Sequence, residues 1–265
     1  MKTLVIKKED LTNNINEIKK FALKNETKKN DKEYEIIAVV KGNGYGIGLI
    51  QYASVLVEQG IHYLAVSSPE EAIEIKKAGI NANVILLASI CNESEVKELI
   101  ENDVILTIGS KEAAIVANKL SNDRKVRAHI KIDTGFGRYG FKYSDTETII
   151  ETYKNYPNLQ IEGTFSHFSE SFKKNGKYTK LQFDRFMSVI DTLKKNDINP
   201  GMLHICNSFA FLNNPSMHLD ASRIGSALVG RVGLRNDISL KKIGIMETKI
   251  CELKMLKKGE PIRIL

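Results

Sequence analysis

Val126-Arg127-Ala128-His129-Ile130-Lys131-Ile132-Asp133 alternates between apolar and polar side chains. Side chains of a strand point to opposite faces in turn. Ala128, Ile130 and Ile132 therefore share one face, and Arg127, His129, Lys131 and Asp133 share the other. The apolar face suits packing against helices. The other face looks into a polar interior.

Strand-like and helix-like segments alternate on both sides of this stretch. Upstream, strands are expected at Ile36 to Val40, Tyr63 to Val66, Val84 to Leu87 and Val104 to Ile108. Helices are expected from Leu49 to Gln59, with Gly60 closing it, from Ser68-Pro69-Glu70-Glu71 to Ala78, near Glu93 to Glu101, and from Ser110 through Leu120. An earlier helix carries Leu11, Ile15, Ile18 and Ala22 on one face, with Asp10 as its expected cap. The polar run from Asn25 to Lys32 reads as an exposed connection. Downstream come a helix near Thr146 to Asn155, a strand at Leu159 to Phe165 and a long helix over Thr179 to Lys195. Strands at Leu203 to Cys206 and Leu219 to Ile224 complete the set. Eight strands alternating with helices over roughly 220 residues favour a (β/α)₈ barrel, or TIM barrel. A doubly wound open sheet is the main competitor.

Composition narrows the function classes. The chain has 265 residues, with 39 basic against 32 acidic side chains and a net charge of +7. The lysines are dispersed and no block of five like charges occurs, so the charge reads as solvated surface and no nucleic-acid partner is expected. Three cysteines, Cys91, Cys206 and Cys251, show no CxxC spacing. No metal site is expected, and the cysteine usage fits a reduced, cytoplasmic protein. The N-terminus has too short an apolar core for a signal peptide, and no run approaches membrane-spanning length.

In Ile36-Ile37-Ala38-Val39-Val40-Lys41-Gly42-Asn43-Gly44-Tyr45-Gly46, five apolar residues lead into a lysine and then into alternate glycines. Lys41 is expected where a buried strand meets its loop. Desolvation there would lower its pKa, the state a lysine needs to form an imine with an aldehyde. The plainer alternative is a lysine snorkelling at a strand end. Barrel active sites lie at the C-terminal ends of the strands. That rule selects Lys41, the run from Asp133 to Arg138, His167, Asn207-Ser208 and Arg223-Gly225-Ser226. Gly225 and Ser226 are expected to open a helix whose free N–H groups suit a phosphate. A lysine for an aldehyde and a phosphate cradle at one mouth suggest pyridoxal phosphate.

Four motifs, in order, resemble the alanine racemase family. They are Ala38 to Gly46, Lys131-Ile132-Asp133-Thr134-Gly135-Phe136-Gly137-Arg138-Tyr139-Gly140-Phe141, Gly163-Thr164-Phe165-Ser166-His167-Phe168, and Asn207-Ser208 with Arg223-Ile224-Gly225-Ser226-Ala227-Leu228. The resemblance implies a pyridoxal 5'-phosphate-dependent amino-acid racemase interconverting L- and D-alanine. Lys41 would hold the cofactor as an imine and act as one base. Tyr45, Asn207, Ser208, Gly225 and Ser226 would bind the cofactor, with His167 against its ring. Arg138 would donate to its phenolic oxygen. Lys131 would be carbamylated and orient Arg138; a lysine paired with Asp133 is the alternative. Arg223 would face the pyridine nitrogen and keep it unprotonated, restraining side reactions.

Departures from the family pattern also carry expectations. Gly42 and Gly44 stand where alanine is usual and should loosen the loop. Ile47 replaces a histidine and Ile224 a proline. Residues 1–235 are expected to form the cofactor-binding barrel. Residues 236–265 are expected to be a linker and the first strand, near Ile245 to Lys254, of an incomplete C-terminal β domain. In the family that domain supplies a second base to a neighbouring subunit. A weak racemase is therefore expected, working as a homodimer or with a partner chain. The alternatives are a non-catalytic pyridoxal-phosphate carrier and, third, an amino-acid decarboxylase; the last lacks its triple-glycine phosphate loop here.

Overall fold

The computed structural model describes residues 2–25, 34–122, 124–173, 176–232 and 238–261. Strand β1 (Lys2–Ile6) and helix α1 (Lys8–Lys24) come first, then β2 (Glu35–Val39) and a short turn α2 (Lys41–Gly46). Four strand–helix units follow in various lengths: α3 (Leu49–Glu58), β3 (Tyr63–Val66), α4 (Pro69–Lys77), β4 (Asn83–Leu86), α5 (Glu93–Glu101), β5 (Leu106–Ile108), α6 (Lys111–Lys119) and β6 (Val126–Asp133). The remainder comprises β7 (Phe141–Lys142), α7 (Thr146–Lys154), β8 (Leu159–Phe165), α8 (Lys177–Lys195), β9 (Met202–Asn207), α9 (Ser208–Asn213), β10 (Ala221–Ile224) and β11 (Gly244–Thr248).

Eight parallel strands run in the order β4-β3-β2-β10-β9-β8-β6-β5. A parallel bridge between Ile85 and Ile105 joins the two ends, with Leu86 N–H donating to Ile105 O at 3.0 Å and Ile105 N–H to Val84 O at 2.8 Å. The sheet thus closes as a barrel, and the open-sheet alternative falls away. Closure leaves no free edge. The helices cover the outside. Ile36, Ala38 and Val40 face them, while Ile37 and Val39 turn inward with Ala65, Ile85, Ile105 and Ala221.

The barrel interior is therefore divided. Its β2–β5 side is apolar. On the other side His129, Lys131, His204 and Arg223 are buried, as the period-2 reading of β6 expects. Gly163 makes room for them: a Cβ there would lie 2.7 Å from His129 Cε1.

Local chemistry explains most helix starts. Ser68, Asn92, Ser110 and Asp145 each accept a backbone N–H with their side chain at the N-cap, and Pro69 follows Ser68. Asp10 is a correction. The helix begins earlier, after Lys7, and Asp10 lies in its first turn, where its charge favours the positive helix end. Glu71 completes only half of the expected capping box. Its N–H donates to Ser68 Oγ, but its carboxylate accepts from Asn43 N–H instead.

Strands β1 and β7 were not legible. β1 pairs antiparallel with β11 in a separate two-stranded sheet, from Lys2 opposite Thr248 to Ile6 opposite Gly244. The connection read at Asn25 to Lys32 and the boundary between 235 and 236 lie outside the described residues, apart from Asn25 itself. Among the described residues no helix is long and apolar enough to cross a membrane.

Candidate active site

Ten candidate residues from the sequence line one cavity of about 240 Å³ at the C-terminal ends of the barrel strands: Lys41, Tyr45, Lys131, Arg138, His167, Asn207, Ser208, Arg223, Gly225 and Ser226; of the run from Asp133 to Arg138 only Arg138 does. Val39, Leu87, Phe165 and Phe209 supply the apolar remainder of the wall. Four of the lining side chains are cationic and none is a carboxylate. Such a cavity favours an anionic occupant.

Lys41 follows β2 and its buried Val40, as expected, but its side chain is exposed in the mouth. The expected burial of Lys41 at the strand end is thereby corrected. The turn that follows is left-handed: Gly42, Asn43, Gly44 and Tyr45 have φ of 67°, 52°, 62° and 59°. Left-handed backbone costs a non-glycine residue about 1–2 kcal/mol, so Asn43 and Tyr45 are strained and Gly42 and Gly44 are not. The glycines thus fit a defined turn rather than loosening one. Asn43 N–H donates to Glu71 Oε1 at 2.9 Å, and Leu49 N–H to Asn43 Oδ1 at 2.9 Å. These bonds hold the strained residues and aim Tyr45 across the mouth.

The Tyr45 hydroxyl lies against Gly225, where any Cβ would collide with it. Residues 225–230 form consecutive turns rather than the expected helix, with Leu228 N–H donating to Gly225 O and Gly230 N–H to Ala227 O. Nor is Gly225 N–H free. It donates to Ser208 Oγ at 3.0 Å, as does Ala227 N–H at 3.2 Å. Ser208 Oγ, already accepting twice, retains its own O–H to donate. Ser226 keeps its hydroxyl without a partner among the described residues. Asn207 caps α9, its Oδ1 accepting from Phe209 N–H, Ala210 N–H and Ser171 Oγ.

Arg223 is buried, and both of its terminal nitrogens are engaged. Its Nη2 donates to Ser166 O at 2.7 Å, Ile205 O at 3.2 Å and His167 Nδ1 at 3.0 Å. Its Nη1 donates to His204 Nδ1 at 2.7 Å and His204 O at 3.2 Å. A guanidinium can only donate, which fixes the imidazoles. His167 and His204 accept at Nδ1 and carry their proton on Nε2. His204 Nε2–H then donates to His129 Nδ1 at 2.9 Å. Burial, reinforced by the Arg223 charge, holds the pKa of His167 and His204 well below the ordinary value; burial and the Arg127 and Arg223 charges push His129 to about 3. All three rings are neutral at pH 7. Burial also brings Arg223 down to about 10.

Lys131 is the desolvated lysine of the site. Burial, then the charges of Arg223 and Arg138, push its pKa down to about 7, with Asp133 opposing. The Lys131–Asp133 pair weighed as an alternative does not form. Asp133 instead accepts from the N–H groups of Gly135, Phe136 and Gly137, building the turn that presents Arg138. Lys131 Nζ lies 5.3 Å from the Phe165 ring centroid and 5.5 Å from that of Tyr139. Arg138 is exposed and stacks over Phe136 at 4.5 Å.

A stability consequence follows for Lys131. Between about pH 7 and its ordinary 10.5 the folded chain binds fewer protons there than the unfolded chain. Stability therefore rises with pH through that window. Lys131→Met is expected to stabilise the chain by about 2 kcal/mol at pH 6.5, where the buried ammonium is charged, the gain vanishing near pH 10. Denaturant unfolding in bicarbonate-free buffer at both pH values checks this.

The family model for the N-terminal domain of alanine racemase matches residues 6–232. The chain belongs to that family. A curated alanine racemase from Clostridium tetani is 38% identical over 240 residues, covering 87% of this chain and 61% of the relative. One from Methanococcus maripaludis is 34% identical over 247 residues, covering 87% and 63%. A solved alanine racemase from Clostridium difficile superposes with a TM-score of 0.87 at 26% identity, covering 99% of this chain and 68% of that one. The chain spans about three fifths of the length of these curated relatives.

Sequence reasoning missed His204 and His129 as a relay under Arg223, although Leu203-His204-Ile205-Cys206-Asn207 alternates as β6 does. Applying the same two-residue period to β9 would have put His204 inside the barrel. The Glu71 contact to the Lys41 turn carried no sequence signal.

Proposed function

We propose that this chain carries the cofactor-binding half of the active site of an alanine racemase. The observation that carries the reading is the convergence of four basic side chains, Lys41 among them, without a carboxylate, and of the Tyr45–Ser208–Ser226 donors, on one cavity. Those groups fit pyridoxal phosphate. Tyr45, Ser208 and Ser226 offer hydroxyl donors to a phosphate beside a glycine that admits no Cβ. Lys41 is the residue that would hold the aldehyde. Arg138 would meet the phenolic oxygen, and Arg223 the ring nitrogen. When bound, the cofactor supplies an electron sink for the α-carbon of an amino acid.

The chain's own residues account for the rest. Lys41 Nζ, in the mouth, removes or returns the α-proton on one face. Arg223 has no proton to give readily, so it would leave a ring nitrogen that it meets unprotonated. His167 is held neutral with Nδ1 occupied, which fixes its orientation. Phe165 and Leu87 exclude water from the floor. The small-amino-acid substrate, a dimeric or partnered assembly, a cytoplasmic location and the division into 1–235 and 236–265 belong to the same reading.

Two results are expected. Gly225→Ala displaces the Tyr45 hydroxyl and weakens pyridoxal phosphate about tenfold, measured by absorbance titration. Lys131, neutral above about pH 7, adds carbon dioxide at its lone pair and releases a proton to give a carbamate facing two arginines. A ¹³C resonance from labelled bicarbonate, lost in Lys131→Met, checks this. The function itself is tested by following L-alanine with the pyridoxal-phosphate-loaded chain in D₂O. Label at the α-carbon supports it; bound cofactor without label supports the carrier.

A further inference from the structure

One buried glutamine joins two parts of this site that arise from different strands. Gln182, on α8, is fully buried. Its Nε2 donates to His167 O at 3.2 Å and to Thr134 Oγ1 at 3.4 Å. Its Oε1 accepts from Ser169 N–H at 3.0 Å and Ser169 Oγ at 3.1 Å. Both amide hydrogens and both carbonyl lone pairs are thus used. Thr134 opens the loop after β6, which carries Arg138. His167 and Ser169 lie in the loop after β8. Thr134 Oγ1 also meets Ser166 Oγ at 2.9 Å, a second stitch between the same loops.

The rest of the helix face reinforces one side. Tyr178, Gln182 and Arg185 recur at i, i+4 and i+7, one face of a helix. Tyr178 O–H donates to Gly135 O at 2.9 Å and Arg185 Nη1 to Thr134 O at 3.0 Å. Helix α8 is 19 residues long and buries Phe186, Val189, Ile190 and Leu193 against the barrel. It is a rigid base compared with either loop. Gln182 touches neither the Lys41 turn nor the Ser208–Gly225 cradle.

We propose that Gln182 is a positioning residue that makes the Arg138 loop and the His167 loop one unit, setting both against the cofactor ring. The role in catalysis rests on the racemase reading; the coupling of the loops does not. A fully satisfied buried amide rigidifies what it joins, and removing it leaves orphaned partners on both sides. Misplacement of a catalytic group by about 1 Å can cost on the order of 100-fold.

The test is hydrogen exchange with peptide mass readout on the full chain, as purified and after loading with pyridoxal phosphate. In Gln182→Met, exchange across 133–140 and 166–169 is expected to rise together by about tenfold, with 41–48 unchanged. Turnover should fall on the order of 100-fold while the bound-cofactor absorbance band persists. Retained protection in either loop overturns the proposal. So does loosening that spreads equally to 41–48, the mark of a merely structural residue. If Gln182→Met does not fold, Thr134→Val removes only the Oγ1 junction. The same two-loop signature is expected from it, and unchanged exchange in both loops overturns the proposal. Failure of the wild-type chain to bind pyridoxal phosphate would sink the racemase reading and leave the exchange result to decide the coupling.

Discussion

Lys41→Ala is expected to abolish α-proton exchange, lowering it on the order of 10⁴-fold or more, with no loss of fold. The two halves of this expectation have separate causes. Nucleophilic attachment and proton transfer would both pass through Lys41 Nζ, and general base catalysis alone contributes about 10²–10⁴-fold. Stability is untouched because the side chain is exposed in the mouth and makes no hydrogen bond or ion pair among the described residues. The left-handed turn does not depend on it, since Glu71 and Asn43 hold that turn through other atoms. Measurement of exchange in D₂O beside a thermal melt separates the halves. A variant that unfolds, or one that exchanges normally, contradicts the assignment.

Arg223→Leu is expected to do the reverse and damage the fold first. Three carbonyl oxygens, of Ser166, His204 and Ile205, and two imidazole nitrogens lose their donor inside the barrel. Unsatisfied buried acceptors cost about 1–3 kcal/mol each in the worst case; several of the five, less what removing a buried charge returns, leave a net loss of about 3–5 kcal/mol. For a chain of this size that lowers the melting temperature by about 10 °C. The titration of neighbours should move as well. The Arg223 charge is one of the causes that depress Lys131, His167 and His204. Its removal raises all three, although burial, the larger cause, remains. NMR titration of the histidines in the variant measures the shift. An unchanged melting temperature would mean that the carbonyls find other donors.

The barrel was legible because its strands carry their own period. β6 reads as alternating, and the side it assigns to His129 and Lys131 is the inside of the barrel. The mouth residues were legible for a related reason: each lies at or just beyond the C-terminal end of a recognisable strand, so the fold rule converts sequence position into place. Where that link fails, the reading fails. The burial of Lys41 was inferred from its neighbours, yet the buried run ends at Val40 and the backbone turns left-handed from Gly42, leaving Lys41 in the mouth. The helix at Gly225 was inferred from glycine and serine alone, but Ser208 from another strand takes the amides that would begin it. Strand β1, Lys2-Thr3-Leu4-Val5-Ile6, lies ahead of the strand–helix alternation that marks the barrel, and only pairing with β11, more than two hundred residues on, makes it a strand. Gln182 belongs to the same class. On α8 it is one polar residue in an amphipathic pattern, and its partners lie 15 and 48 residues away.

The central claim is that Lys41 and the cationic cavity work on the α-carbon of alanine. The most direct measurement is the α-proton exchange of L-alanine in D₂O by the chain loaded with pyridoxal phosphate, followed by mass and by chirality, with Lys41→Ala alongside. The account predicts deuterium at the α-carbon, little of it in D-alanine because Lys41 serves one face, and no label in the variant. Bound cofactor with unlabelled alanine, or label that persists without Lys41, would contradict it.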